Sequence, residues 1–151
     1  MRCRIKNWYL NKKSIKNFGV SKNQGKKVLG ADSVIDLSGE LISKPRERKE
    51  AFLILKKLNG KEHHLISSVC ISKNGSMIWN YTDKAKLKMK TFSEQELEEY
   101  LSKISDSALY AYNVYQIEGE GRKLFSDIIG DKYTIMGLPI QKIKEYLKEI
   151  K

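Results

Sequence analysis

The chain has little of what marks an unusual polypeptide. Two prolines and 10 glycines in 151 residues are too few for a fibrous, low-complexity or disordered chain. Two cysteines, Cys3 and Cys70, cannot make a disulfide framework, so a packed core has to supply the stability and a cytoplasmic setting is expected. Neither cysteine has metal-ligand spacing or a matched base, which argues against a thiol nucleophile. The two histidines, His63 and His64, are adjacent. On a strand they point to opposite faces and cannot chelate one metal well, so both are expected to be structural. No apolar run approaches the roughly 20 residues needed to cross a bilayer, and no membrane partner is expected. The opening MRCRIKNWYLNKK carries charge without an apolar stretch and does not read as a secretory signal. Walker loops, dinucleotide-binding glycine motifs, internal repeats and interior linkers are all missing.

What is present suits one soluble domain. The sequence is 40% hydrophobic and 31% charged, ordinary globular values, and a chain of this size buries roughly 70% of its unfolded surface. The formal net charge is +11. That charge could attract phosphate, in a nucleotide or a nucleic acid. It could equally be a lysine-heavy composition spread over solvated faces. Arginine occurs only at Arg2, Arg4, Arg46, Arg48 and Arg122, whereas nucleic-acid surfaces favour arginine forks and exposed aromatics.

Along the chain, a weak helix over Lys12 to Val20 precedes KKVLGADSVIDL, which reads as a buried strand because it is short, β-branched and bounded by turn residues. Leu37-Ser38-Gly39-Glu40 reads as a hairpin turn, with Leu41 and Ile42 starting the return strand. Pro45 opens a helix with Ala51, Ile54, Leu55 and Leu58 at helical spacing, and Gly60 lies just past its end. His63 to Ile71 reads as a strand. Asn74-Gly75 is the strongest hairpin signal, with Met77 to Tyr81 as the partner strand. Lys84 to Lys90 alternates strictly, as a half-buried antiparallel strand does. Ser93 with Glu96 forms a capping box for a helix carrying Leu97, Tyr100, Leu101 and Ile104. Tyr112 to Ile117 is expected to be a strand, Leu124 to Ile129 a short helix and Tyr133 to Met136 a last strand. Pro139 then opens an amphipathic helix through Ile140, Ile143, Leu147 and Ile150. The pattern predicts a mixed α/β domain.

Four positions could carry chemistry. Asp32, at the end of the first strand and beside small residues, could be a base or metal ligand, or only the cap of a turn. Lys44 precedes a helix start, where free N–H groups favour anions, but it is also one lysine among many. Glu118 and Glu120 lie in an E-G-E-G run that could present carboxylates to Mg²⁺ or to a nucleobase edge, or could simply be a turn.

Taken in order, these segments resemble the Maf family of nucleotide pyrophosphatases. VLGADSV, at Val28 to Val34, looks like that family's L-G-A-D-[TS]-V strand. GELISKP, at Gly39 to Pro45, is similar to its G-x-x-x-x-K-P segment, with Ser43 where glycine is common. LKKLNGKEHHLISSV at Leu55 to Val69, YQIEGEG at Tyr115 to Gly121, LFSDIIGD at Leu124 to Asp131 and TIMGLP at Thr134 to Pro139 are similar to its later blocks, at matching spacing. The resemblance implies a single elongated α/β domain over 1–151, related to the Maf and ITPase folds. Its mixed, largely antiparallel central sheet would be flanked by helices, with a cleft between two lobes. It implies hydrolysis of nucleoside triphosphates, modified or pyrimidine ones, to monophosphate and pyrophosphate. Asp32 would then be the catalytic carboxylate. Lys16 and Lys44 would be cleft lysines, and Glu118 would stand where relatives carry Gln or Glu near the substrate. A divalent cation, Mg²⁺, is implied as cofactor, together with a homodimer, no stable nucleic-acid partner, a cytoplasmic location and a link to septum formation.

The chain departs from the family pattern at residues 1–26, which are divergent. The first strand and the S-x-S-x-x-R phosphate loop expected of the family are missing there. A late start codon, a shortened gene and a remnant that folds poorly would each account for it, and a catalytically impaired remnant that only binds nucleotides is the alternative reading of function. A chain so shortened is expected to hydrolyse weakly or not at all until the loop is restored by fusion. A basic nucleic-acid-binding module is a further alternative that composition permits, although no recognised nucleic-acid motif supports it.

Overall fold

The computed structural model describes residues 25–150 apart from Gly75 and Asn113, with the backbone alone at 111 and 112. The expected helix over Lys12 to Val20, and Lys16 with it, lie outside the described residues.

Among the described residues five strands form one sheet in the order β2-β1-β3-β4-β5. They are β1 (Lys27–Leu37), β2 (Glu40–Ile42), β3 (Glu62–Lys73), β4 (Ser76–Met89) and β5 (Phe125–Ile129). Every pairing is antiparallel. Among the described residues five helices accompany the sheet: α1 (Arg48–Leu58), α2 (Glu94–Ser102), α3 (Asp106–Tyr112), α4 (Lys132–Ile135) and α5 (Ile140–Glu149). The described residues thus build a single α/β domain whose sheet is wholly antiparallel, not mixed as expected.

The turns follow their residue chemistry. Leu37 pairs with Glu40, so Ser38 and Gly39 make a two-residue hairpin loop. Both have positive φ, 52° and 95°, as a primed turn needs. The Asp36 carboxylate accepts from the Gly39 N–H at 2.7 Å. Lys73 pairs with Ser76, and Asn74 has φ 50°, which confirms the hairpin expected at Asn74-Gly75. The capping box also forms. Ser93 Oγ accepts from the Glu96 N–H, and Glu96 Oε2 accepts from the Ser93 N–H at 2.7 Å.

One sheet face carries the main core. Ile35, Leu65, Ala85, Leu87 and Met89 pack there with Leu55 and Leu58 of α1 and Leu97 and Leu101 of α2. The other face holds a small cluster of Val34 and Ile66 with Leu41 against it. Arg48 stitches the helices together. Its guanidinium donates to the Leu101 carbonyl at 2.8 Å, the Ile104 carbonyl at 2.5 Å and the Asp106 carboxylate at 2.7 Å.

Four further expectations are corrected. The two strands expected at Met77 to Tyr81 and Lys84 to Lys90 are one, because Thr82 and Asp83 stay in register opposite Ser68 and Ser67. Thr82 and Ser68 also share a hydroxyl–hydroxyl bond. Tyr112 to Ile117 is not a strand. α3 ends at Tyr112, and residues 114–119 are turns and irregular chain. This segment buries Val114 and Tyr115. Leu124 to Ile129 is not a helix. A 3₁₀ turn over Glu120–Leu124 runs into β5, which pairs with Lys86 to Met89. The free edge of β4 decides this, since short apolar runs are ambiguous in period. Tyr133 to Met136 is the short helix α4, started by Asp131, whose carboxylate caps the Thr134 N–H at 2.9 Å.

Candidate active site

β1 pairs with β2 only at Ile35 to Leu37. Among the described residues its N-terminal part therefore has a neighbour on one side only, β3, and leaves a strand edge open. A cleft of about 190 Å³ lies along this edge at Ala31, Asp32 and Ser33. The segments after β2, after α3 and after α4 close around it and contribute Lys44, Glu118 and Gly137.

Three of the five residues named from sequence, Asp32, Lys44 and Glu118, thus share one cleft, although they come from distant parts of the chain. Asp32 is half-buried, and its Oδ1 accepts from the Ser33 N–H at 3.0 Å. Strand alternation sends the Asp32 and Ser33 side chains to opposite faces, opposite Ser68 and Ser67 respectively. The cleft meets both because the strand edge is open. Lys44 is exposed and Glu118 is exposed. Neither they nor Asp32 make an ion pair among the described residues. Such unpaired groups remain available to a charged ligand. Lys16 lies outside the described residues. Glu120 is directed elsewhere, to Lys123 at 3.0 Å.

The glycines of the E-G-E-G run differ in role. A Cβ on Gly121 would stand 2.6 Å from the backbone of Gln116. This glycine is required because the chain passes over the segment that presents Glu118. Beneath the same wall, His63 Nε2 and the Tyr115 hydroxyl share a 2.9 Å bond, and Tyr115 packs edge-on against Phe125. Burial, followed by the neighbouring His64, lowers the His63 pKa to about 4. Burial likewise pushes the Tyr115 hydroxyl far up. Both are neutral anchors, which agrees with the structural role expected for His63.

Sequence reading missed the wall after α4. Ser67 Oγ donates to the Thr134 carbonyl at 2.7 Å, and Thr134 Oγ1 donates to Asp83 at 2.8 Å. These bonds hold the turn that carries Ile135, Met136 and Gly137. The positive φ of Gly137, 94°, was the available signal in TIMGLP.

The family of Maf-like proteins matches this chain over residues 9–150. The chain belongs to the Maf family. This Maf chain is 73% identical over 124 residues to a nucleoside triphosphate pyrophosphatase of Pelagibacter ubique, a match covering 82% of this chain and 64% of the relative. It is 36% identical over 126 residues to a nucleoside triphosphate pyrophosphatase of Ruegeria pomeroyi (83% and 63% covered). It is 38% identical over 123 residues to a 7-methyl-GTP pyrophosphatase of Bartonella quintana (82% and 62% covered). The Maf chain spans slightly less than two thirds of the length of these relatives. No helix among its described residues is long and apolar enough to cross a membrane.

Proposed function

We propose that this protein is a nucleoside triphosphate pyrophosphatase that acts in the cleft beside Asp32. The observation that carries the proposal is the convergence of Asp32, Lys44 and Glu118 on one cleft. The names of the relatives support the same reaction class.

In this reading the triphosphate lies along the open edge of β1. Asp32 accepts a proton from the attacking water, whose oxygen bonds to the α-phosphorus. The bond from that phosphorus to the bridging oxygen breaks, and pyrophosphate leaves with the electron pair. Lys44 binds phosphate oxygens and offsets the charge that develops on them. Glu118 faces the nucleoside end and accepts hydrogen bonds from it. Lys16 is proposed as a second cationic group at the phosphates. The donor set suits Mg²⁺. Asp32 and Glu118 are hard oxygen ligands in one cleft, and among the described residues there is no group of three or more His, Cys, Asp or Glu that could cage a metal. Mg²⁺ typically takes one or two carboxylates and completes its shell with phosphate and water. Held by Asp32, it would supply charge neutralisation at the phosphate oxygens.

Modified or pyrimidine nucleotides are the proposed substrates. A cytoplasmic setting, a homodimer and a link to septum formation belong to the same reading, with no lasting nucleic-acid partner.

The test is pyrophosphate release with Mg²⁺ over a panel of nucleotides that includes UTP, dTTP and 7-methyl-GTP. Metal-dependent release that disappears in Asp32→Asn is expected. Equal release by wild type and variant would exclude Asp32 from the chemistry. Tight, salt-sensitive RNA or DNA binding without any hydrolysis would favour the basic-module reading instead.

A further inference from the structure

Ser33 lies in the cleft next to Asp32, and its hydroxyl is 2.8 Å from that of Ser67. Ser67 is fully buried and does not line the cleft. A serine hydroxyl has one proton and two lone pairs. The proton of Ser67 is committed to the Thr134 carbonyl, which can only accept. In the Ser33–Ser67 bond, Ser67 must therefore accept and Ser33 must donate. Both protons run inward, from Ser33 to Ser67 to the Thr134 carbonyl. This leaves Ser33 Oγ with lone pairs alone for the cleft. Gly137 keeps that oxygen accessible, since a Cβ there would come within 3.3 Å of it.

We propose that Ser67 is a positioning residue that fixes Ser33 as an acceptor-only group, so that the cleft takes an N–H or O–H donor of the nucleotide at Ser33 and not a phosphate oxygen. This rests on the nucleotide reading above and adds a polarity to it. A serine free to rotate could offer its proton to an anion. Here that proton is withdrawn by a chain of two bonds that ends on a buried carbonyl. Ser67 contacts no ligand and acts only through Ser33. The donor can come from the sugar hydroxyls or from a ring N–H, which are chemically equivalent at this oxygen.

The test is calorimetric binding of the α,β-methylene analogues of UTP and GTP with Mg²⁺. Each is compared with its 2′-deoxy, 3′-deoxy and ring-N-methyl counterparts, on wild type, Ser33→Ala, Ser67→Ala and the double variant. Wild type is expected to lose roughly fivefold in affinity when the one relevant donor is removed, the size of a single neutral hydrogen bond. Ser33→Ala is expected to lose a similar factor with the intact analogue and to be indifferent to that donor's removal, whereas Ser67→Ala, in which Ser33 keeps its lone pairs but is free to rotate, is expected to lose a smaller part of that factor. The double variant should be no weaker than Ser33→Ala. A sugar or ring assignment follows from which counterpart shows the loss. If Ser67→Ala does not fold, Ser67→Cys, close in size but a weak hydrogen-bonding partner, carries the same expectation. Wild-type affinity in the Ser67 variant, or additive losses in the double variant, overturns the proposal while leaving the nucleotide reading standing. Failure of wild type to bind either analogue removes both.

Discussion

The lip of the cleft and the layer beneath it are built on opposite terms. Asp32, Lys44 and Glu118 at the lip are half-buried or exposed and have no ion-pair partner among the described residues. Ser67, Thr134, His63 and Tyr115 beneath are buried and hydrogen-bonded. Charged groups left without an ion-pair partner on the protein contribute little to folding and much to a ligand. Groups that are buried and hydrogen-bonded within the protein do the reverse, although His63 keeps one buried ring nitrogen, Nδ1, without a partner among the described residues. Damage at the two levels should therefore be separable, activity from stability.

The sharpest break in that contrast would come from Asp32→Asn. Turnover is expected to fall roughly 10²- to 10⁴-fold, the range for a general base, with no change in melting temperature. A variant that melts early would show that the carboxylate also supports the fold. Acid titration probes the lower layer. The folded pKa of His63 is about 4 against 6.5 for the free group, so between these values the unfolded chain binds the extra proton. The contribution of His63 is therefore complete above about pH 6.5, declines as the pH falls and is gone below about 4. The shift corresponds to about 3 kcal/mol. Denaturant midpoints measured across that window should lose part of their pH slope in His63→Gln. Gly121→Ala tests the junction of the two levels. Its Cβ would meet the Gln116 backbone at 2.6 Å, and overpacking of this kind costs about 1–3 kcal/mol. A lower melting temperature together with a higher KM is expected, because the strained segment also presents Glu118. Ser93→Ala lies far from the cleft and should give the smallest effect. Losing the cap costs about 1 kcal/mol, with kcat/KM unchanged in an activity assay.

The sequence spoke most clearly where the decision is local. Ser38-Gly39 and Asn74 turn the chain by their own positive φ, and Ser93 and Glu96 cap a helix within four residues of each other. It was misleading between Tyr112 and Met136, where remote groups decide. β5 is a strand because β4 offers an edge. The backbone after α3 is fixed by the Tyr100 hydroxyl, which donates to the Val114 carbonyl at 3.1 Å, and by the Tyr115–His63 bond. The candidate site was readable in part for the same reason. Asp32, Lys44 and Glu118 sit in short distinctive motifs. Ser33, Ser67 and Thr134 matter through bonds to one another across the sheet, and no spacing along the chain reveals those.

The Arg48 stitch has a mechanical consequence. One planar cation plugs the end of α2 and grips the carboxylate at the start of α3, fastening both helices to α1. Lysine would keep the charge but has no fork to reach three acceptors at fixed angles. Two carbonyls would be released to water and the joint at Lys103 to Ser105 would loosen. Since the polypeptide runs from that joint through α3 to Glu118, slack introduced more than one helix away would surface as play in one wall of the cleft.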